Sequence, residues 1–244
     1  MNDDELLKKR FIELAERSEK FFTYEETKFL SMAEQSELMK LGLNAELIGG
    51  YDSAERRIAV FGSEETTGYP YESPIKTVKI APKAQKFAEQ LTHRDFLGSL
   101  MALGITREML GDIQIYENEG YLFCLGSIAE YVCANLTEVR RTPVKCTVSE
   151  LPEKLSEPPA PISCVIASER LDAIIAAVYK ISRDEAKKLA EKELVFINGR
   201  LTVKGSAQLT ENDVISVRGK GRFVFLGIER ETKKGKLRVT VRRY

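Results

Sequence analysis

The chain has 244 residues, 43% of them apolar, and its 37 Lys and Arg balance 37 Asp and Glu. This length suits about two globular domains. No apolar run is long enough to cross a membrane, and the acidic N-terminus is unlike a secretory signal. We therefore expect a cytoplasmic protein without a membrane partner. Four irregularly spaced cysteines and a single histidine argue against a metal site and favour free thiols. No cofactor-binding motif is evident.

The zero net charge conceals an asymmetry along the chain. Residues 162–244 contain 18 Lys and Arg against 10 Asp and Glu, a net charge of +8. Residues 1–161 contain 19 against 27, a net charge of −8. Such a division favours a polyanion-binding module joined to a differently charged carrier. The alternative is an ordinary scatter of charges over solvated faces.

The N-terminal part has a helical pattern. Apolar residues recur near the helical period from Asp4 to about Leu41. Thr23 and Glu26 predict the start of a further helix, with Thr23 as the N-cap and Glu26 reaching back to it. Gly42 is expected to end the last helix as its C-cap. We therefore predict an N-terminal helical segment over residues 1–42.

Residues 43–155 alternate between strand and helix signals. Strands interleaved with two helices favour a two-layer α/β domain of the split βαβ type, so we expect an α+β protein. The predicted elements are strands at Ala45–Gly50, Arg57–Phe61 and Lys76–Ile80, a helix at Lys83–Leu103, hairpin strands at Ile113–Glu117 and Tyr121–Leu125, a helix at Ser127–Leu136 and a strand at Lys145–Val148.

A proline-rich stretch follows this domain. Residues 156–162 contain three prolines, which restrict the backbone and favour an extended, semi-rigid linker. The charge balance changes sign across the same stretch. Both observations predict that residues 163–244 form a separate C-terminal domain.

The C-terminal domain has clear local signals. Ser168 is expected to cap a helix over Arg170–Val178, and Ser182 with Glu185 has the capping-box spacing that opens a second helix. The turn Asn198–Gly199 between alternating residues predicts a hairpin. Further strands are expected at Val214–Val217, Phe223–Ile228 and Leu237–Val241.

Basic residues in this domain collect at turns and at one helix start. Glycines beside them let backbone N–H groups approach phosphates, and a helix N-terminus adds partial positive charge. Arginine donates paired hydrogen bonds to phosphate. The residues that we expect to bind RNA, with Ser182 and Asn198 as hydrogen-bonding groups, are Arg170, Ser182, Arg183, Lys187, Lys188, Asn198, Arg200, Lys204, Arg218, Lys220 and Arg222.

Several motifs of the last third occur together in one known domain. They are Arg170-Leu-Asp172, Ser182-Arg183, Ala186, Val195 with Asn198-Gly199, and Asp213-Val-Ile-Ser-Val-Arg-Gly-Lys-Gly-Arg-Phe223. In this combination they resemble the αL-type S4 RNA-binding domain, named for a ribosomal protein. Glu193 and Asn212 stand where that family commonly has glycine, and both are expected at turns. Asp172 is expected to be a surface or capping residue.

The central part narrows the resemblance. Leu91-Thr-His-Arg-Asp-Phe-Leu-Gly98, Leu103-Gly-Ile105, Arg107 and Gly111-Asp-Ile113 are similar to the central domain of the YlmH family. These bacterial proteins have N-terminal helices, an RRM-like domain and a C-terminal S4 domain. The resemblance implies a non-catalytic protein that binds structured RNA on the large ribosomal subunit, namely ribosomal RNA and, in some members, tRNA of stalled subunits. It implies a role in translation or ribosome-associated quality control.

Other features of the sequence could indicate a different function. His93-Arg-Asp95 is shared with the kinase catalytic loop, but the required asparagine and Asp-Phe-Gly are missing, so a local polar network is favoured. Tyr116, Tyr121 and Phe123 could stack bases as in RNA-binding RRMs, but without the basic–aromatic motif we expect them to pack in the core or an interface. The alternatives to RNA binding without catalysis are an RNA-modifying enzyme, similar to pseudouridine synthases, and an adaptor linked to cell division.

Overall fold

The computed structural model describes residues 3–231 and 235–244, without the side chains of Asp3 and Phe87. These residues form two compact units, divided between Glu157 and Pro158. No helix in the described part of the chain is long and apolar enough to cross a bilayer.

The N-terminal region is a small α/β layer. Its elements are α1 (Asp3–Phe21), β1 (Glu25–Glu26), α2 (Met32–Leu41), β2 (Ala45–Ile48), β3 (Ile58–Phe61) and α3 (Glu64–Thr67). The strands form an antiparallel sheet in the order β1-β3-β2. Phe11, Leu14 and Phe61 bury their side chains between this sheet and the first two helices. The layer is held by an apolar core of its own.

Two predictions for this region were wrong. Thr23 does not cap a helix, because Glu25 and Glu26 pair with β3. Helix α2 starts later, where Ser31 and Glu34 complete a reciprocal capping box and so satisfy the free N–H groups of the first turn. The strands at 45–48 and 58–61, predicted within the central domain, belong to the N-terminal sheet instead. Gly42 caps α2 in a left-handed conformation, as predicted.

The central domain has the predicted split βαβ fold. Its elements are β4 (Ile75–Pro82), α4 (His93–Ala102), β5 (Leu110–Tyr116), β6 (Glu119–Leu125), α5 (Gly126–Asn135), β7 (Glu138–Val139), β8 (Thr142–Val148) and α6 (Glu153–Ser156). The antiparallel sheet has the order β5-β6-β4-β8-β7. Val78, Ile80 and Leu122 face the helices α4 and α5 within a buried core.

The first central helix is shorter than predicted. The sequence pattern indicated a helix from Lys83 to Leu103, but regular helix begins at His93, after a single 3-10 turn at Gln85–Phe87. Thr92 and Asp95 form a capping box that defines this start. The prediction was wrong for the residues before Thr92 because their apolar residues continue the helical period of α4.

The other face of the central sheet is covered by the N-terminal layer. Phe123 on β6 is 1% exposed and packs with Phe29, Ile58 and Val60. Its ring stacks on Tyr51 at 4.9 Å between centroids. The covered face is the one on which RNA-binding RRMs stack bases.

The C-terminal unit packs two helices on one face of a six-stranded sheet. Its elements are β9 (Ile162–Ile166), α7 (Leu171–Tyr179), α8 (Arg183–Glu191), β10 (Val195–Ile197), β11 (Arg200–Leu201), β12 (Val214–Val217), β13 (Gly221–Glu231) and β14 (Leu237–Arg243). The strand order is β11-β10-β12-β13-β14-β9. The core is made from Leu171, Ile175 and Ala186 of the helices against Ile215 and Phe223 of the sheet.

The start of this unit differs from the sequence prediction. Strand β9, which was not predicted, begins at Ile162 and pairs with β14 at the sheet edge. Ser168 does not cap α7. Instead, the N–H groups of Leu171 and Asp172 donate to the carbonyls of Ala207 and Gly205 at 2.8 and 2.9 Å. Carbonyl groups of a distant loop therefore satisfy the free N–H groups at the start of α7, which Ser168 was expected to satisfy.

Both departures from the S4 pattern lie at left-handed backbone positions. Glu193 has φ +59° and Asn212 has φ +69°, and glycine adopts this region without strain. Asparagine tolerates this conformation better than glutamate does.

We expect Glu193→Gly to raise the free energy of unfolding by about 0.5 kcal/mol, since the relief of backbone strain exceeds the added entropy of the unfolded chain. Urea denaturation tests this, with Asn212→Gly as the control that should change less. A loss of stability in Glu193→Gly would contradict the strain argument.

Candidate RNA interface

A buried carboxylate organises the basic residues at the helix starts. Asp172, in the first turn of α7, is 2% exposed. Arg170 donates from a terminal nitrogen to its Oδ2 at 2.6 Å, and Arg183 of α8 donates from Nε to its Oδ1 at 3.0 Å. Asp172 is thus not the surface or capping residue that was predicted. A lone buried charge would be unfavourable, and the two arginines compensate it.

The protonation of Asp172 reflects this environment. Burial acts to raise the pKa of the carboxyl, but hydrogen bonds from Arg170 and the charge and hydrogen bond of Arg183 outweigh it and hold the pKa below its ordinary value. The carboxylate is therefore ionised at neutral pH. The side chains of Arg170 and Arg183 remain 42% and 49% exposed, so both guanidinium groups are anchored and still accessible.

Further basic residues surround this pair. The N–H of Asp172 donates to the carbonyl of Gly205, the residue that follows Lys204 in the chain. Lys187 and Lys188 are exposed on α8, and Lys187 forms a 3.6 Å ion pair with Glu191. We call this set the helix-side surface; it consists of Arg170, Arg183, Lys187, Lys188, Lys204 and Lys220.

Lys220 joins the helix-side surface because it forms an ion pair with Glu185 at the start of α8. The hydroxyl of Ser182 accepts a hydrogen bond from the Glu185 N–H at 3.1 Å, which is half of the predicted capping box. The Glu185 carboxylate instead lies 3.2 Å from Nζ of Lys220, at the turn between β12 and β13. An ion pair thus replaces the reciprocal capping bond.

The hairpin turn has a structural role. Asn198 and Gly199 both have positive φ, as the predicted tight turn requires. The Asn198 amide donates to Asp213 at 2.7 Å and accepts from the Val214 N–H at 2.9 Å. The Asn198 amide therefore stabilises the turn and is engaged within the protein, so it is not among the proposed RNA contacts. Arg200 lies beside this turn, at the end of β12 opposite to the Lys220 turn.

Arg218 and Arg222 lie on the other side of the sheet from the helices. The Arg218 guanidinium is 4.8 Å from the ring centre of Phe196, and that of Arg222 is 4.3 Å from the ring centre of Tyr244. Phe196, Ser216 and Arg222 are paired across three strands, and their strand neighbours Val195, Val217 and Phe223 are buried in the core. Because strand residues alternate between faces, the basic residues predicted as one set are divided between two faces.

The central domain offers fewer contacts for RNA. Tyr121 and Phe123 are buried, as expected. Tyr116 is partly exposed, with Nζ of Lys154 5.0 Å from its ring centre. Asp95 bonds Thr92 and lies 3.6 Å from Arg140. The expected polar network among His93, Arg94 and Asp95 is thus replaced by a helix cap and an ion pair.

The cysteines have no evident chemical role. All four are free, and burial raises the pKa of both Cys124 and Cys146 to about 12. Their thiols are thus protonated at neutral pH. Among the residues that the structure describes, no three His, Cys, Asp or Glu side chains form a group that could hold a metal ion.

Comparison with known proteins adds three findings. Residues 70–153 match a family model described as "Putative RNA-binding domain in YlmH", so the central domain bears the RNA-binding description despite its acidic charge. The chain is 34% identical over 199 residues to the ribosome-associated protein quality control protein P2 of Bacillus subtilis (strain 168), covering 80% of this chain and 76% of that one. A solved structure, the cell division protein ylmH from Streptococcus pneumoniae, aligns with a TM-score of 0.48 and 22% identity over 61% of this chain and 92% of that one. On the identity and coverage of the Bacillus protein, the chain belongs to the YlmH family.

Proposed function

We propose that this protein binds RNA on the ribosome without catalysing a reaction. Its targets are ribosomal RNA of the large subunit and the tRNA held there, and its role is in translation or in quality control of stalled ribosomes. The relative named as a ribosome-associated quality control protein supports this role. The family description of the central domain supports RNA as the ligand.

The observation that carries the proposal is the pair of arginines anchored by Asp172. The carboxylate engages Nε and one terminal nitrogen of Arg170, and Nε of Arg183. Each guanidinium carries five N–H donors, so donors remain for a phosphate. An arginine held by a carboxylate loses less side-chain entropy when it binds, which favours phosphate recognition. The flanking lysines add charge that attracts an RNA backbone.

Two exposed lysines provide the clearest test. We expect Lys187→Gln with Lys188→Gln to weaken binding to isolated large ribosomal subunits about tenfold and to reduce the slope of log affinity against log salt by about 1.5, since each lost phosphate contact removes roughly 0.7–0.9. Cosedimentation over a range of KCl concentrations measures both quantities. Arg183→Ala is less suitable, because it would leave buried Asp172 with one partner.

Lys192→Gln is the matched control. Lys192 is exposed and follows the last turn of α8, so its replacement removes one of the same kind of charge from the far end of the same helix. We expect less than about a twofold change in affinity, since charge alone acts weakly at a distance in salt. An unchanged salt slope in the Lys187 and Lys188 variant would reject the helix-side surface as the RNA contact. An equal loss of binding free energy per lysine in the two variants would indicate a nonspecific charge effect.

A further inference from the structure

The C-terminal sheet has a second basic face, opposite to its helices. Strand β14 alternates: Val239 and Val241 are 0% exposed and face the helices, so Arg238 and Arg242 face the other way. Arg242 pairs across the sheet with Val224, and Arg238 pairs with Arg230. The strand pattern thus adds two arginines to the face that carries Arg218 and Arg222. None of the RNA-binding residues predicted from the sequence lies on β14.

These two arginines are weakly engaged in the part of the chain that the structure describes, although the charge of Arg238 helps to lower the pKa of Glu229. Both are partly buried, and neither forms a salt bridge with a described residue. The Nε of each is buried without a hydrogen-bond acceptor. The nearby carboxylate of Glu229 accepts hydrogen bonds from Ser163 and Thr240 instead. Both arginines are nevertheless partly exposed, and a guanidinium without a salt bridge has N–H donors that suit a ligand with anionic oxygens.

Aromatic rings lie at one end of the same face. Phe196, Ser216 and Arg222 are neighbours across β10, β12 and β13, and the Tyr244 N–H donates to the Arg222 carbonyl at 3.0 Å. Arg218 stacks on Phe196 and Arg222 on Tyr244. Rings and guanidinium planes side by side are surfaces on which unpaired bases stack.

We propose that this outer sheet face is a second RNA-binding surface, which takes a single-stranded segment. It is defined by Phe196, Arg218, Arg222, Arg238, Arg242 and Tyr244. Arg238 and Arg242 bind phosphates, and the stacked pairs hold bases. The proposal rests on the proposed function, and it extends it: with the helix-side surface on the opposite side, the C-terminal domain contacts two RNA segments at once.

Neighbouring arginines on β14 provide a matched test. Arg242 faces the outer sheet face, whereas Arg243 lies on the helix side with its guanidinium 5.0 Å from the ring centre of Tyr179. The probe is a fluorescein-labelled oligouridylate of roughly ten nucleotides, titrated with the full chain. We expect Arg238→Gln with Arg242→Gln to weaken binding about tenfold and to lower the salt slope by about 1.4, and Arg243→Gln to change affinity less than about twofold. Circular dichroism checks that the variants fold. If the double variant is unstable, Arg242→Lys takes its place: it keeps the charge but not the planar guanidinium, and it should lose part of the affinity.

The outcomes separate this proposal from the proposed function. If Arg243→Gln weakens oligouridylate binding as much as Arg238→Gln with Arg242→Gln, the second surface is rejected. If the wild type binds large subunits but not the oligouridylate, the second surface is again rejected and the proposed function stands. If it binds neither RNA, both fail. Displacement of the oligouridylate by inorganic phosphate at constant ionic strength would show a site for free anions, which also overturns the assignment to RNA.

Discussion

Replacing Asp172 by Asn is expected to lower the free energy of unfolding of the C-terminal domain by about 2–3 kcal/mol. The carboxylate is buried, and the substitution would remove its negative charge and replace one of its two acceptor oxygens with an N–H donor group that faces a guanidinium. The expected loss is below that of a fully buried pair, because both guanidinium groups are about half exposed and water compensates them in part. Urea denaturation followed by circular dichroism measures the change.

Asp184→Asn is the control for this substitution. Asp184 lies exposed in the first turn of α8, so its loss should change stability by about 0.5 kcal/mol or less. A similar effect of both substitutions would show that net charge, and not the buried contact, stabilises the domain.

The Asp172→Asn substitution also distinguishes two effects on RNA binding, the positioning of the arginines and the net charge. Asp172→Asn removes a negative charge from a basic surface, so charge alone predicts tighter binding. If Asp172 positions Arg170 and Arg183, binding to large subunits should instead weaken severalfold under conditions in which the variant remains folded. Tighter binding would contradict the positioning role.

Stability should also depend on pH through Asp172. Its pKa is depressed in the folded protein, so its contribution is present above the unfolded value of about 4 and is lost as the pH falls through the lower folded value. The wild-type protein should therefore lose the stability contributed by Asp172 below about pH 4. Over the same pH range, the free energy of unfolding of Asp172→Asn should fall less. Urea midpoints measured from neutral pH to acid test the difference.

Phe123→Ala is expected to lower the stability of the N-terminal unit by about 3–4 kcal/mol. The ring fills the space between the central sheet and the N-terminal layer, and it packs so closely on Gly50 that a Cβ there would come within 2.5 Å of it. Truncation therefore leaves a cavity and removes the stack on Tyr51. Guanidinium denaturation measures the loss.

Phe123→Leu is the companion variant that isolates function. It keeps most of the apolar volume and should lose only about 1 kcal/mol. Because the ring lies under the N-terminal layer, it cannot stack on a base, and RNA affinity should be unchanged. A large loss of RNA binding in this stable variant would show that the covered face opens to bind RNA.

The family model and the charge pattern point to different parts of the chain. The model's RNA-binding description covers residues 70–153, whereas the positive charge collects after residue 161. In the central domain, Tyr116 with Lys154 lies on the part of the sheet that remains accessible. The excess of positive charge lies in the C-terminal unit.

Local signals predicted the elements whose stabilising contacts are local. The Asn198–Gly199 turn, the Gly42 cap and the Ser182 contact to Glu185 formed as expected, because each depends on residues within a few positions. The order of strands and helices was enough to predict the split βαβ fold of the central domain. The signal at Thr23 failed because Glu25 and Glu26 pair with β3, and the capping box of Ser31 and Glu34 starts the helix instead.

By itself, the sequence determined that a basic α/β module follows an acidic carrier, because charge and turn residues are read directly from the chain. Only the tertiary structure decided which basic residues lie together and which groups they contact. Asp172 and Arg183 lie on different helices and meet through packing, and Arg238 faces away from the helices because β14 pairs with β9 and β13. Contacts between distant residues depend on which faces the folded sheet buries, and neither composition nor periodicity specifies those faces.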